Sequence, residues 1–224
     1  MTIPRVDANR RLLVLGAGRQ QLGLLQAARQ QGLLVVAVDR DSAAPGFRLA
    51  DRRALISFED EPSLHRLAEA EHIDGVISPA NDWSVGIAAR IAHRLALPHP
   101  LDPKTAALAS SWLKQRERFE EAGVPNDAWL GDGPEVTVQA FSLAGEFHAL
   151  FGPAGVATLA ERAASVLGIR EGPTSTRIRI TPRGPQVIEL ARAATGVDLN
   201  DLALKGALGE PIALDELLRR PRAA

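Results

Sequence analysis

Gly16-Ala17-Gly18 stands between an apolar run, Arg11 to Gly18 (RLLVLGAG), and a stretch of good helix formers, Arg19 to Gln31. Backbone amides at a strand-to-helix turn, together with a helix N-terminus, favour an anion. Arg19 and Gln20 open the helix beside that turn. Asp39 ends the next apolar run, Leu33 to Val38 (LLVVAV), about where a ribose-binding acid stands in a dinucleotide site. The third glycine of that fingerprint is replaced by Gln21, and Gly23 comes two residues late. Three readings follow: an NAD(P) site with Asp39 on the ribose, a scaffold turn with Asp39 capping a loop, or a binding edge for another small molecule at the strands' carboxyl ends. Asn81 and Asp82 follow a third apolar run, Gly75 to Ser78 (GVIS), and belong to the same edge. The candidate small-molecule cleft is therefore Gly16, Gly18, Arg19, Gln20, Asp39, Asn81 and Asp82. The alternative for Asn81 and Asp82 is a capping role before the helix that starts at Trp83.

Other chemistries are thinly supplied. Only three of the 26 basic residues are lysines, Lys104, Lys114 and Lys205. There is no cysteine, which excludes a disulfide scaffold, a thiol nucleophile and thiolate metal sites. The five histidines, His65, His72, His93, His99 and His148, show no metal-ligand spacing and read as solvated or capping residues. No GxSxG motif is present. The 26 basic and 27 acidic residues leave a net charge of −1, with no basic tract, so no nucleic-acid partner is expected. No apolar run reaches the ~18 residues that span a membrane, and Met1 to Arg10 lacks the apolar core of a signal peptide. The expectation is a soluble cytoplasmic protein without a membrane partner.

The elements that must position these residues come in two textures. The first half alternates short apolar strands with helices, which predicts a parallel sheet covered on both faces. Its strands are the run from Arg11 to Gly18 that ends in the glycine turn, Leu33 to Val38, Arg53 to Ser57 and Gly75 to Ser78, and its later helices are Glu61 to Ala70 and Trp83 to Leu95. Leu97 to Pro103 carries three prolines and reads as a linker into one or two helices over Lys104 to Ala122. Beyond Pro125 the pattern becomes extended. Glu135 to Phe141 and Gly145 to Leu150 read as an antiparallel pair, and Thr176 to Thr181 and Gln186 to Ala191 as another. Val156 to Leu167 and Leu199 to Leu208 read as helices, and the tail from Arg219 as frayed. The 224 residues suffice for two small cores.

Several phrases taken together resemble the ATP-grasp superfamily, which includes biotin carboxylase, carbamoyl-phosphate synthetase and many carboxylate–amine ligases. LLVLGAGRQQLGLLQAARQQG, VVAVDRD, APGFRLAD, IDGVISPANDW and LALPHP resemble the domain that precedes the ATP-grasp region. RERFEEAGVP resembles the helix that leads into the nucleotide-binding region, and EVTVQAFSLAGEFHAL the strand pair that follows the hinge. LGIREGPTSTRIRI and GPQVIELARAATG resemble the last catalytic strands, and ALGEPI the end of the helix after them. The resemblance implies an α/β fold with a Rossmann-like domain at 1–101, a helical linker at 102–126, and a truncated ATP-grasp-like α+β domain with an antiparallel sheet at 127–224. It implies ATP and magnesium as cofactors and Glu135, Arg177, Glu189 and Arg192 as nucleotide-side residues, with Glu189 as the surviving metal ligand.

The departures from the family pattern change that expectation. Between GVP and EVTVQAF the family carries a long mobile lid with phosphate-binding lysines. Here nine residues, Asn126 to Pro134, fill the space, too few for a subdomain. The best register for the family lysine ahead of GVP falls on Ser111 or Trp112. The family holds magnesium with two acids on adjacent strands and an asparagine. Here the first acid is Arg177, twelve residues before Glu189, and the asparagine is Ala191. A guanidinium beside Glu189 repels a cation and takes the carboxylate, which predicts a Glu189–Arg177 ion pair in place of a metal site. An ordinary cross-strand pair is the simpler alternative. Ala193 stands in the register of the family's following arginine, with Arg192 one place off.

The resulting expectation is an ATP-grasp-like protein that has lost ligase chemistry, binds neither ATP nor magnesium tightly, and acts in small-molecule binding or regulation. The alternatives are an active ATP-dependent ligase with a compact nucleotide site built from Arg170, Arg177, Arg179 and Arg192, and a Rossmann-type NAD(P)-dependent enzyme. An interaction subunit is a further possibility. Loss of the lid leaves sheet surface near Trp112, Phe119 and Trp129, which predicts a homodimer or a partner protein.

Overall fold

The computed structural model describes residues 9–78, 82–126, 132–192 and 199–218. The chain forms two units, one from Met1–Pro103 and Asn200–Pro211, the other from Lys104–Leu199 and Ile212–Ala224.

The first unit is a parallel sheet of β1 (Arg11–Leu15), β2 (Leu34–Asp39), β3 (Arg52–Leu55) and β4 (Gly75–Ile77), in the order β3-β2-β1-β4. The strands β1, β2 and β4 read as apolar runs because both faces are buried, whereas the edge strand β3 carries exposed Arg52 and Arg53. Leu12, Val14, Val35 and Ala37 face α1 (Leu22–Gln30) and α7 (Asn200–Leu208) through Leu24, Leu25, Ala28, Leu204, Ala207 and Leu208. Leu13, Leu15, Val36 and Val38 face α2 (Glu61–Ala70) and α3 (Asp82–Arg94) through Leu64, Ala68, Ile87 and Ile91. The helix α2 begins at Asp60, whose carboxylate accepts from the Ser63 amide at 3.1 Å, with a proline in its first turn.

A division at 1–101, 102–126 and 127–224 differs from these units in one respect that matters. The chain returns to the first unit with α7, which packs on α1 and β4. Gly75 permits this contact, since a Cβ there would lie 2.5 Å from the Ala207 carbonyl oxygen. Arg10 donates to the Leu208 carbonyl at 2.8 Å, and Gln31 to Asp201 at 2.9 Å, both fastening the same helix.

The second unit is an antiparallel sheet of β5 (Glu135–Leu143), β6 (Glu146–Phe151), β7 (Gly172–Thr181) and β8 (Gly184–Ala191), in the order β6-β5-β7-β8. One face packs on α6 (Ala157–Val166), with Val138, Val156, Ala160 and Ile178 as its apolar contact. The unit also contains α5 (Trp112–Glu121), capped by Ser111, and α8 (Leu214–Leu218); α4 (Pro103–Ala109) starts at its edge. The expected α/β class, a parallel sheet followed by an antiparallel one, is the observed architecture. Strand β7 starts four residues earlier than the sequence suggested, because Gly172 and Pro173 pair with Ser142 and Phe141 despite their turn-like chemistry. Among the described residues no helix is long and apolar enough to cross a membrane.

Candidate functional site

In the first unit the glycine turn is held from inside. Gly16, at φ +113°, donates its N–H to the Val38 carbonyl at 2.8 Å. The Ala17 amide donates to one carboxylate oxygen of Asp39 at 2.9 Å, and the Asp41 amide to the other at 3.0 Å. The Gln21 side chain folds over the turn, so that a Cβ on Gly16 would lie 3.0 Å from its carboxamide carbon. The Gly46 amide closes the back of the turn on the Ala17 carbonyl at 2.7 Å. The dinucleotide reading needed Asp39 for a ribose and open backbone at the glycines. Asp39 instead ties the end of β2 to the turn after β1, and Gln21 covers the glycines. Arg19 and Gln20 lie exposed on the short turn before α1. Asn81 lies outside the described residues, as does the side chain of Asp82.

A cavity of about 220 Å³ does open at the carboxyl ends of β2 and β3. It is lined by Asp39, Arg40, Ser57, Phe58, Glu59 and Trp83. The Phe58 and Trp83 rings lie 6.4 Å apart, and Trp83 is half exposed. Among the described residues of the expected cleft, Asp39 lines it and Gly16, Gly18, Arg19 and Gln20 do not. Phe58, Glu59 and Trp83 were not among the site residues expected from the sequence, although each follows a strand of the same sheet edge.

The second unit has a charged cavity of about 240 Å³ between α5 and the sheet. The register places Glu135 opposite Arg179, and Arg177 opposite Glu189. These side chains share one face, away from α6. A bulge makes this possible for Glu189. Arg177 pairs with Glu189 while Ile178 pairs with Val187, so Ile188 is an extra residue on β8. Without it, alternation would turn Glu189 to the opposite face. Glu135 accepts a short hydrogen bond from Arg179. That bond, with added attraction from the Arg177 charge, holds the Glu135 carboxyl below the usual carboxylate range. Arg177 lies 3.4 Å from Glu189 and 3.7 Å from Glu135. The ion pair expected between Arg177 and Glu189 is thus present, with Glu135 as a third member.

The helix α5 closes the cavity. Trp112 is half exposed, and the Arg116 guanidinium lies 5.9 Å from its ring centre. Phe119 is buried, so it does not contribute to an open sheet face, and Trp129 lies outside the described residues. Gln115, also buried, donates to the Leu190 carbonyl at 2.8 Å and accepts from the Leu190 amide at 3.0 Å. It thereby stands in for a neighbouring strand at the residue next to Glu189.

Other expected participants are elsewhere. The nearly buried Arg192 donates to the Glu171 carbonyl at 2.8 Å and does not line the cavity. Arg170 packs on Gly145 at the β5–β6 turn. Ala193 lies outside the described residues. None of Lys104, Lys114 and Lys205 is among the cavity residues. His65 is a correction to the expectation of solvated histidines. It is buried on α2, 3.4 Å from Glu61, which also pairs with Arg90.

Magnesium does not fit this cavity. Its two carboxylates already face guanidinium groups, and among the described residues no three His, Cys, Asp or Glu converge on one point.

No family model matches the chain. The formate-dependent phosphoribosylglycinamide formyltransferase of Solidesulfovibrio magneticus is 34% identical over 74 residues, 33% of this chain and 19% of that protein. The enzyme of the same name from Dechloromonas aromatica is 39% identical over 61 residues, 27% of this chain and 15% of that protein. The match thus spans less than a fifth of the length of these curated relatives. Among solved structures, phosphoribosylglycinamide synthetase from Anaerococcus prevotii superposes with a TM-score of 0.79 at 17% identity, covering 96% of this chain and 79% of that one. The L-amino acid ligase from Bacillus licheniformis gives 0.76 at 20% identity, covering 94% and 77%. An ADP complex of N5-carboxyaminoimidazole ribonucleotide synthetase gives 0.71 at 14% identity, covering 94% and 80%. These neighbours are ATP-grasp ligases, the chain has their fold, and it is shorter than they are.

Proposed function

We propose that this protein uses an ATP-grasp fold to bind a small molecule and does not ligate. The observation that carries the reading is Arg177. It lies between Glu135 and Glu189 on the sheet face where ligation chemistry would need a divalent cation. Transfer of a phosphoryl group requires its developing charge to be neutralised by positioned cations. Here the guanidiniums are matched against the carboxylates, and no lysine lines the cavity. The small-molecule contact is assigned to the carboxyl edge of the parallel sheet, where Asp39, Arg40, Glu59 and Trp83 border open space. The test is phosphate release from magnesium–ATP in the presence of formate, amino acids and small amines. The expected rate equals the protein-free blank. Carboxylate-dependent release would overturn the reading.

A second reading, an active ligase with a compact nucleotide site, draws on the likeness to an ADP-bound synthetase. Of the four arginines it invokes, Arg177 and Arg179 line the cavity, whereas Arg170 and Arg192 do not. On that reading ATP turnover is measurable and Glu189→Gln abolishes it.

A further inference from the structure

In the antiparallel sheet β6 stands outermost, and among the described residues no strand pairs with its far side. Proteins usually blunt such an edge with charge, proline or a covering element. The opposite edge, β8, is met by Gln115, which bonds both backbone groups of Leu190. The edge strand β3 of the parallel sheet carries exposed Arg52 and Arg53, so a copy laid against it would meet like charges. Strand β6 (EFHALF) has no proline, lysine or arginine. Its Ala149 and Phe151 are exposed.

The hairpin fixes which backbone groups face outward. Ala144 (φ +53°) and Gly145 (φ +88°) form a two-residue turn between Leu143 and Glu146. Leu143 and Glu146 are then a hydrogen-bonded pair, and alternation makes Phe141 and His148 the next. The N–H and C=O of Phe147 and Ala149 therefore point away from β5. The turn is tied down, since Gly145 donates to the Arg170 carbonyl and Ala144 to the Glu171 carboxylate, both at 2.9 Å. Beyond Ala149 a bulge against Gln139 ends the regular ladder. One two-fold antiparallel register satisfies both outward residues of both chains. It sets Phe147 opposite Ala149, with His148 on the axis. Glu146 of each chain then lies diagonal to His148 of the other on the same face, an acid beside an imidazole.

We propose that β6 is the docking edge for a second copy of this chain, which extends the sheet to eight strands. None of its residues lines the charged cavity, so the pairing stands whether or not the protein ligates.

Sedimentation of the full chain at micromolar concentration is expected to give twice the chain mass. Ala149→Pro removes an outward N–H, a change that edge strands tolerate, and is expected to give the mass of one chain with an unchanged circular dichroism spectrum. Cross-linking tests the register without disturbing the edge. The sequence has no cysteine, so a single introduced one reports only its own contacts. His148→Cys places two thiols at a non-hydrogen-bonded pair, with Cα atoms about 4.5 Å apart and within disulfide reach. Under mild oxidation it is expected to form a covalent dimer at least about tenfold faster than Glu146→Cys, whose two copies the register holds beyond that reach. If Ala149→Pro does not fold, the two cross-linking rates decide. The proposal is overturned by a monomeric wild type, or by His148→Cys linking no faster than Glu146→Cys. A dimer kept by folded Ala149→Pro and lost by Trp112→Ser would place the second copy on α5 and overturn it as well.

Discussion

Replacing Gln115 by leucine tests whether one side chain fixes the edge of the charged sheet. The Gln115 carboxamide bonds both backbone groups of Leu190 and also donates to the Ala109 carbonyl at 2.6 Å. Leucine has similar bulk and no polar atom, so Gln115→Leu leaves the N–H and C=O of Leu190 buried without this partner. Roughly 1–3 kcal/mol per unsatisfied buried group gives about 2–6 kcal/mol for the pair. The added apolar burial returns about 1 kcal/mol. A net loss of about 3 kcal/mol remains. In a unit of about 100 residues each kcal/mol lowers the midpoint by about 4–8 °C, so a fall of more than about 10 °C is expected by differential scanning calorimetry. Lys114→Ala, on the exposed side of the same helix, serves as the control and should change stability by no more than about 0.5 kcal/mol. A Gln115→Leu midpoint within about 2 °C of the wild type would refute the argument that Gln115 acts as the missing strand.

The other predictions concern separate contacts. Gly75→Ala drives a methyl group to 2.5 Å from the Ala207 carbonyl and 2.9 Å from the Leu208 side chain. It should cost about 1–3 kcal/mol by overpacking and speed hydrogen exchange in α7 ahead of the rest of the chain, and an unchanged exchange pattern counts against the packing described. Glu61 accepts two hydrogen bonds from Arg90 at 2.8 Å, and its carboxyl is held below its usual range chiefly by that bond. A lowered folded-state pKa means stability that is present above the unfolded value and lost as pH falls through the folded one. Urea unfolding should therefore show Glu61→Gln less stable than the wild type by about 0.5–1 kcal/mol at pH 7, with the gap closing below about pH 4.5. A gap that stays constant with pH contradicts the assignment. Trp112 and Leu113 stand exposed side by side at the start of α5. Cover by a second copy predicts twice the chain mass in sedimentation at micromolar concentration, a monomer mass being the contrary result.

The parallel sheet was legible because burial on both faces leaves β1, β2 and β4 as apolar runs, and the helix at Glu61–Ala70 was legible from its period. The pairing of Arg177 with Glu189 was readable through the spacing that the family resemblance supplied. What escaped depends on contacts distant in sequence. Nothing local marks Gln115 as the partner of Leu190, 75 residues away. The extra residue at Ile188, which turns Glu189 to the charged face, has no signal in alternation alone. Nothing in the sequence links Phe58 to Trp83, 25 residues on, and only the fold brings their rings together at a cavity. Asp39 was read both as a ribose ligand and as a cap. Its two amide bonds show that the same carboxylate, at the same strand end, serves the backbone.

The return of α7 to the first unit bears on how the chain emerges from a ribosome. The sheet face carrying Leu12, Val14, Val35 and Ala37 is closed by Leu204, Ala207 and Leu208. These residues follow the whole of Lys104–Leu199 in the order of synthesis. At about 5–20 residues per second, translation of that stretch of roughly 100 residues takes about 5–20 s. For that interval α1 alone covers this face of the nascent parallel sheet, and the part that α7 later covers is expected to attract chaperones. A circular permutant that places α7 ahead of β1 would shorten the wait and reduce that attraction.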